Sequence, residues 1–164
     1  MALDDETDAD ALVICDEAGY PFLEYLDFAL SLVYRKMERN EPIHLILPNP
    51  DFIYPKSPGR YGLTAGSLAL IIENALRHRY LNREIPEFVR LGKPHRPIFE
   101  EAFRRSGTTD MIMVGDQLQT DILGGNCFGL DTALVATGIS RWAETGDSGD
   151  IKPDYLLSSL SLQA

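Results

Sequence analysis

The chain is expected to fold as an α/β protein with parallel strands, and three features of the sequence carry that expectation. Ala11 to Cys15 is a short apolar run, residues 22–39 place apolar side chains at helical spacing, and Ile43 to Leu47 is apolar again. Strand, helix, strand in that order implies a parallel βαβ unit with a right-handed crossover. Met111 to Gly115 (MIMVG) shows no polar alternation and so reads as a strand buried on both faces, as parallel strands between helices usually are. Asp116 follows it immediately, and Asp121 comes five residues later. They stand at the C-terminal end of that strand, where open parallel sheets bind ligands. Gly115 lets the backbone turn sharply off the strand, and two carboxylates there form a hard oxygen site of the kind magnesium prefers. The same residues also suit an ordinary strand-to-helix turn with a capping Asp.

Length and composition limit what the protein can be. With 164 residues and 45% hydrophobic content there is room for one ordinary domain or two small ones, with enough apolar material for a core. No apolar run approaches the roughly 20 residues of a membrane helix, and MALDDETDAD lacks the basic and apolar regions of a signal peptide. A cytoplasmic location is expected. The net charge is −10, and Asp4, Asp5, Glu6, Asp8 and Asp10 supply half of it, which disfavours nucleic acid and anionic membranes as partners. A phosphate ester can still bind through one well-placed cation. Cys15 and Cys127 lie in apolar sequence with no CxxC spacing, so buried free thiols are expected.

Taken in order, Phe22, Leu26, Ala29, Leu30, Val33 and Met37 give the first helix its apolar face, with Lys36, Glu38 and Arg39 near its polar end. Pro48-Asn49-Pro50-Asp51 stops the second strand. The stretch on to Gly62 is expected to be a structured loop rich in Pro and Gly, and Tyr54, Lys56 and Arg60 in it are suited to gripping a ligand. Leu68, Ile71, Ile72, Ala75 and Leu76 mark a helix near 64–79, with Thr64 or Ser67 available to start it. Phe88 to Leu91 reads as a third strand, and Pro94 keeps Lys93 extended in the turn after it. Pro97 opens a helix that Gly107 ends, with Ile98, Phe99, Ala102 and Phe103 inward and Glu100–Arg104 and Glu101–Arg105 as exposed pairs. A helix near 119–128, a strand at Thr132 to Val135, and a short strand at Tyr155 to Leu157 complete the chain. Trp142 is expected to cover the core edge.

Gly92-Lys93-Pro94, Gly115-Asp116 and Thr120-Asp121, each at a strand end in this order, resemble the third and fourth motifs of the haloacid dehalogenase (HAD) superfamily. Asn49-Pro50-Asp51, Ala65-Gly66-Ser67-Leu68, GKPHRPIFEEAF and VGDQLQTDILGGNCFGLDTALVATGIS narrow this to NagD-like class IIA phosphatases, which carry an α/β cap. The resemblance covers roughly residues 9 to 160. It implies a Rossmann-like core, magnesium, and hydrolysis of a small phosphate monoester through a phosphoaspartyl intermediate. Lys93 would neutralise phosphoryl charge, Asp116 would be a magnesium ligand, and Asp121, with Gly115 and Thr120, would hold that site in place. Asn49, Asp51, Tyr54, Lys56 and Arg60 would belong to the cap loop that selects substrate. Pro48 and Leu63-Thr64 depart from the family pattern in that loop.

The family's hhhhDxDG nucleophile motif and its Ser/Thr motif are not intact here. ALVICDEAG imitates the first, with Asp16 as nucleophile and Ala18 in place of the acid, but the stretch matches the family's cap strand and helix better. The chain is therefore expected to hold the rear part of a cap (1–86) and the rear half of the core (87–164), beginning inside the cap. In the family fold the Met111–Val114 strand pairs with the nucleophile strand. Without it that edge would be open, which implies self-association or a complementing chain, weak or absent magnesium binding, and negligible activity. A non-catalytic binding or regulatory module on the same scaffold is the other reading.

Overall fold

The computed structural model describes residues 8–16, 19–57, 59–140 and 151–161. Trp142 lies outside them. The chain divides into two compact units, Met1–Ile53 with Gly62–Arg90, and Tyr54–Tyr61 with Leu91–Ala164. Among the described residues no helix is long and apolar enough to cross a membrane.

The first unit has a parallel sheet with order β1 (Ala11–Val13), β2 (His44–Leu47), β5 (Val89–Arg90). Helix α1 (Phe22–Arg39) joins β1 to β2, so the expected parallel βαβ unit is present. Asn40 ends α1 in a left-handed conformation, a conformation Asn tolerates better than most residues. Helix α2 (Ala65–Arg79) precedes β5, and the apolar residues of α1, α2 and β2 form one cluster that includes Val33, Leu45, Leu47, Ile72 and Leu76. Each such side chain, fully buried, contributes about 1.5–3 kcal/mol from leaving water. Thr64 stands at the start of α2 without capping it. Its hydroxyl donates instead to the Asp51 carbonyl, and the Gly66 N–H donates to the same oxygen. A Cβ on Gly66 would run into the Pro50 and Asp51 carbonyls, so the Asn49-Pro50-Asp51 turn rests directly on the first turn of the helix.

Three expectations for the first ninety residues need correction. Lys36 is buried, because three carboxylates reach its ammonium. The segment 53–63 is a β-hairpin, β3 (Ile53–Ser57) and β4 (Arg60–Leu63), turning through Gly59 at φ 74°. Its Pro55 is tolerated because a two-stranded ribbon consists of edge strands. Cys15 is a free thiol but is exposed, since it lies on the loop beyond β1.

The second unit carries a parallel sheet with order β6 (Ile112–Gly115), β7 (Asp131–Val135), β8 (Tyr155–Leu157). β7 is central and buried along four of its five residues. Helix α3 (Arg96–Ser106) precedes β6. A π-helical turn (Leu118–Ile122) runs into α4 (Leu123–Phe128), and both connect β6 to β7. Leu118, Ile122 and Leu134 form the buried cluster, with Ile151 against it.

β6 is not buried on both faces as its composition suggested: Ile112 is 50% and Val114 37% exposed. The cause is position, since among the described residues β6 pairs with β7 alone and is an edge strand. Helix α3 likewise buries Phe99 but leaves Ile98, Ala102 and Phe103 exposed. Its surface pairs are Arg96–Glu100 and Glu101 with both Arg104 and Arg105, so Glu100 turns toward the N-terminus of the helix. Cys127 is a free, exposed thiol near the end of α4.

Candidate active site

The turn after β6 is built around one buried carboxylate. Asp121 is 1% exposed, and both of its oxygens are engaged. Oδ1 accepts from Lys93 Nζ at 2.5 Å, while Oδ2 accepts from the backbone N–H groups of Asp116 at 2.9 Å and Gln117 at 3.0 Å. A buried charge is tolerable only when paired and hydrogen-bonded, and here all three donors converge on it. One side chain thereby ties the Lys93 ammonium to the backbone that presents Asp116. Gly115 is required for this, because a Cβ there would overlap the Asp121 carboxyl group.

Asp116 is held from the neighbouring strand's end. Its Oδ2 accepts from the Ile139 N–H at 2.9 Å, and its carbonyl accepts from the Ser140 N–H at 3.0 Å. A Cβ on Gly138 would overlap the Asp116 carboxylate, so that acid sits flat against the turn after β7. Ser140, itself buried, closes the arrangement by accepting the Leu118 N–H at its Oγ, 3.0 Å away. These are the site residues that sequence reasoning passed over. The signal was a Gly-x-Ser after an apolar run, at the end of the strand beside the one bearing the acids.

Lys93 occupies the turn between β5 and α3, preceding a cis Lys93–Pro94 bond, and a third of its side chain is exposed. Asp121 thus fixes the ammonium of a side chain that remains partly exposed. The Thr120 hydroxyl is buried in the π-helical turn and finds no hydrogen-bond partner among the described residues. His95 is the N-terminal cap residue of α3.

The structure thus brings Lys93, Gly115, Asp116 and Asp121 together, with Thr120 in the intervening turn. Asp16, Asn49 and Asp51 belong to the first unit, and Tyr54, Lys56 and Arg60 lie on the β3–β4 hairpin. Asn49 has a local task, accepting the Asp51 N–H at 3.2 Å in a side-chain-closed turn. Lys56 stands over the Tyr54 ring, 5.5 Å from its centroid. Asp16 follows β1 and its carbonyl accepts from the Tyr20 hydroxyl at 2.6 Å.

A magnesium ion takes about six oxygens in near-octahedral geometry, commonly one or two carboxylates with waters and phosphate oxygens. Asp116 offers one carboxylate, whose Oδ1 carries no hydrogen bond among the described residues, while Asp121 has no oxygen to spare. No group of three or more His, Cys, Asp or Glu side chains gathers around a common point among the described residues. Of such a set Asp116 could supply one ligand. The site residues also provide an immobilised cation beside an ordered backbone turn, suited to a phosphoryl oxyanion.

Residues 90–162 match the HAD-hydrolase-like family model. The chain is 32% identical over 125 residues to human chronophin, an alignment covering 71% of this chain and 39% of chronophin. It is 40% identical over 73 residues to 5'-nucleotidase YutF of Bacillus subtilis, covering 43% of this chain and 28% of that protein. A possible sugar phosphatase of the HAD superfamily from Cytophaga hutchinsonii superposes with a TM-score of 0.74 at 33% identity, over 94% of this chain and 53% of that one. The chain belongs to the haloacid dehalogenase-like superfamily. A p-nitrophenyl phosphatase from Archaeoglobus fulgidus superposes with a TM-score of 0.67 at 29% identity, over 92% of this chain and 54% of that one. The chain spans about half the length of each of these two solved structures, and less than half of chronophin and of YutF.

Proposed function

We propose that this chain carries the rear half of a HAD-type phosphohydrolase acting on a small phosphate monoester, with magnesium and a phosphoaspartyl intermediate in the complete enzyme. The observation that carries the reading is the Lys93–Asp121 pair bonded to the 116–117 backbone at the end of β6. In that enzyme Lys93 neutralises charge on the transferring phosphoryl group, Asp121 positions Lys93, and Asp116 contributes one metal ligand. Residues 1–86 would be cap and 87–164 core, with Tyr54, Lys56 and Arg60 of the hairpin contacting the substrate beyond its phosphate. A cytoplasmic location fits the acidic composition.

Phosphoryl transfer of this kind needs an attacking carboxylate as well as a cation, and neither front motif of the family is intact in these 164 residues. The chain alone is therefore expected to hydrolyse 4-nitrophenyl phosphate at no more than the background rate in millimolar magnesium. Hydrolysis that depends on magnesium and disappears in Asp116→Asn would show a complete site and overturn the incompleteness. A second reading, a scaffold module that associates with another chain or copy, is favoured by the open apolar edge of β6. A monodisperse monomer in light scattering counts against association through that edge on either reading.

A further inference from the structure

The first unit holds a buried cation that the proposed chemistry does not use. Lys36 sits near the end of α1 with its side chain 5% exposed, and its Nζ lies 3.1 Å from Asp8, 3.3 Å from Asp10 and 3.3 Å from Glu41. Two of these acids immediately precede β1, and the third lies in the loop leading to β2. The loop is itself tied back to the helix, since the Glu41 N–H donates to the Lys36 carbonyl at 2.9 Å.

Among the described residues β1 pairs with a strand on one side only. It is three residues long, lies at the edge of its sheet and exposes two of those three residues. Backbone bonds join it to β2, among them His44 N–H to the Asp10 carbonyl at 2.8 Å and Ile14 N–H to the Ile46 carbonyl at 3.1 Å. Its apolar contribution comes from Leu12 and Ile14, which also line a cavity of about 320 Å³ with Tyr25, Leu26 and Ile72. So short an edge strand belongs to the low-stability end of a fold, where local opening is cheap.

We infer that Lys36 is an electrostatic latch that fixes the edge strand β1 on the first sheet, so that removing its charge frees residues 11–14 while the rest of the unit stays folded. The asymmetry of burial makes the effect local. Lys36 is buried, whereas Asp8, Asp10 and Glu41 are each two-fifths exposed or more and return to water when the cation is removed. No buried charge is left stranded, which is the usual cause of wholesale unfolding when one partner is deleted. The clasp also shows in the ionisation of the pair. The hydrogen bond from Lys36 holds the Asp8 carboxyl below its usual range, with Arg39 adding to the attraction, and the bond to Asp8 raises the Lys36 ammonium.

The test is amide hydrogen exchange by mass spectrometry on the full chain, comparing wild type with Lys36→Met and Lys36→Arg at pH 7. The latch requires exchange in peptides spanning residues 11–14 to speed up at least tenfold in Lys36→Met, with α2 and β7 unchanged and Lys36→Arg close to wild type. Unchanged protection of 11–14 in Lys36→Met overturns the inference. So does a loss spread evenly over α1, α2 and β2, since that is a global effect. Asp8→Asn with Asp10→Asn leaves Glu41 as a partner for the Lys36 ammonium and serves if Lys36→Met does not fold. It must also accelerate exchange at 11–14, and protection equal to wild type there overturns the inference.

Discussion

Both units bury charge, and they put it to different use. In the first, Glu73 is 1% exposed and its carboxylate is consumed by architecture: it accepts the Phe88 N–H at 2.9 Å and binds Arg90 through both oxygens. That clamp attaches the two-residue strand β5 to α2 and leaves nothing for a ligand. In the second, Asp121 is as deeply buried and as fully bonded, and its partner Lys93 is a third exposed, against a quarter for the Arg90 that Glu73 holds. What separates the two is position, since Asp121 lies in the turn after β6, at the strand end where open parallel sheets bind ligands. Among the described residues the larger buried apolar cluster lies in the first unit.

The largest expected effects come from removing the buried acids. Asp121→Ala leaves Lys93 and two backbone N–H groups without their acceptor, and Glu73→Ala does the same to Arg90 and Phe88. Each should lower stability by about 3 kcal/mol in urea unfolding. The comparison breaks if Asp121→Ala costs less than about 1 kcal/mol, since its turn would then be held by other means. Next comes Gly138→Ala, which must push the Asp116 carboxylate away from Ile139 and should cost about 2 kcal/mol, the usual scale of overpacking. A crystal structure of that variant with Asp116 unmoved would contradict the close fit described here.

The smallest effect is expected at the surface of α3. Arg104 and Arg105 hold the Glu101 carboxyl down to about 2. A depressed carboxylate adds stability above its unfolded value of 4.5 and loses it as the pH falls toward 2. The group is exposed and screened, so Glu101→Gln should leave the urea midpoint at pH 7 unchanged within error. A clear drop would mean that surface pairs matter here as much as the buried ones.

Much of this was legible in the sequence where the signal was periodic or local. The bounds of α1 follow from its apolar spacing, and the Gly115-Asp116 and Thr120-Asp121 steps mark the strand end beside which Lys93 is found. What escaped depended on neighbours. An apolar run such as Met111 to Val114 cannot report how many of its faces are covered, which is set by the strands beside it. Lys36 reads as surface because the acids that bury it include Asp8, 28 positions away in the sequence. The β3–β4 hairpin was hidden by Pro55 and the turn residues around it, which read as loop. Ser140 was passed over because its role is to accept a backbone N–H 22 positions away.

The most direct measurement is a titration of inorganic phosphate into the isotopically labelled chain, followed by amide NMR in wild type and Lys93→Gln. The substitution keeps a donor for Asp121 and removes the charge. If Lys93 is the phosphoryl-binding cation, the Gly92, Asp116 and Gln117 amides shift saturably in wild type and not in the variant. Equal shifts in both proteins, or none in wild type, would contradict the assignment of this turn as a phosphoryl site.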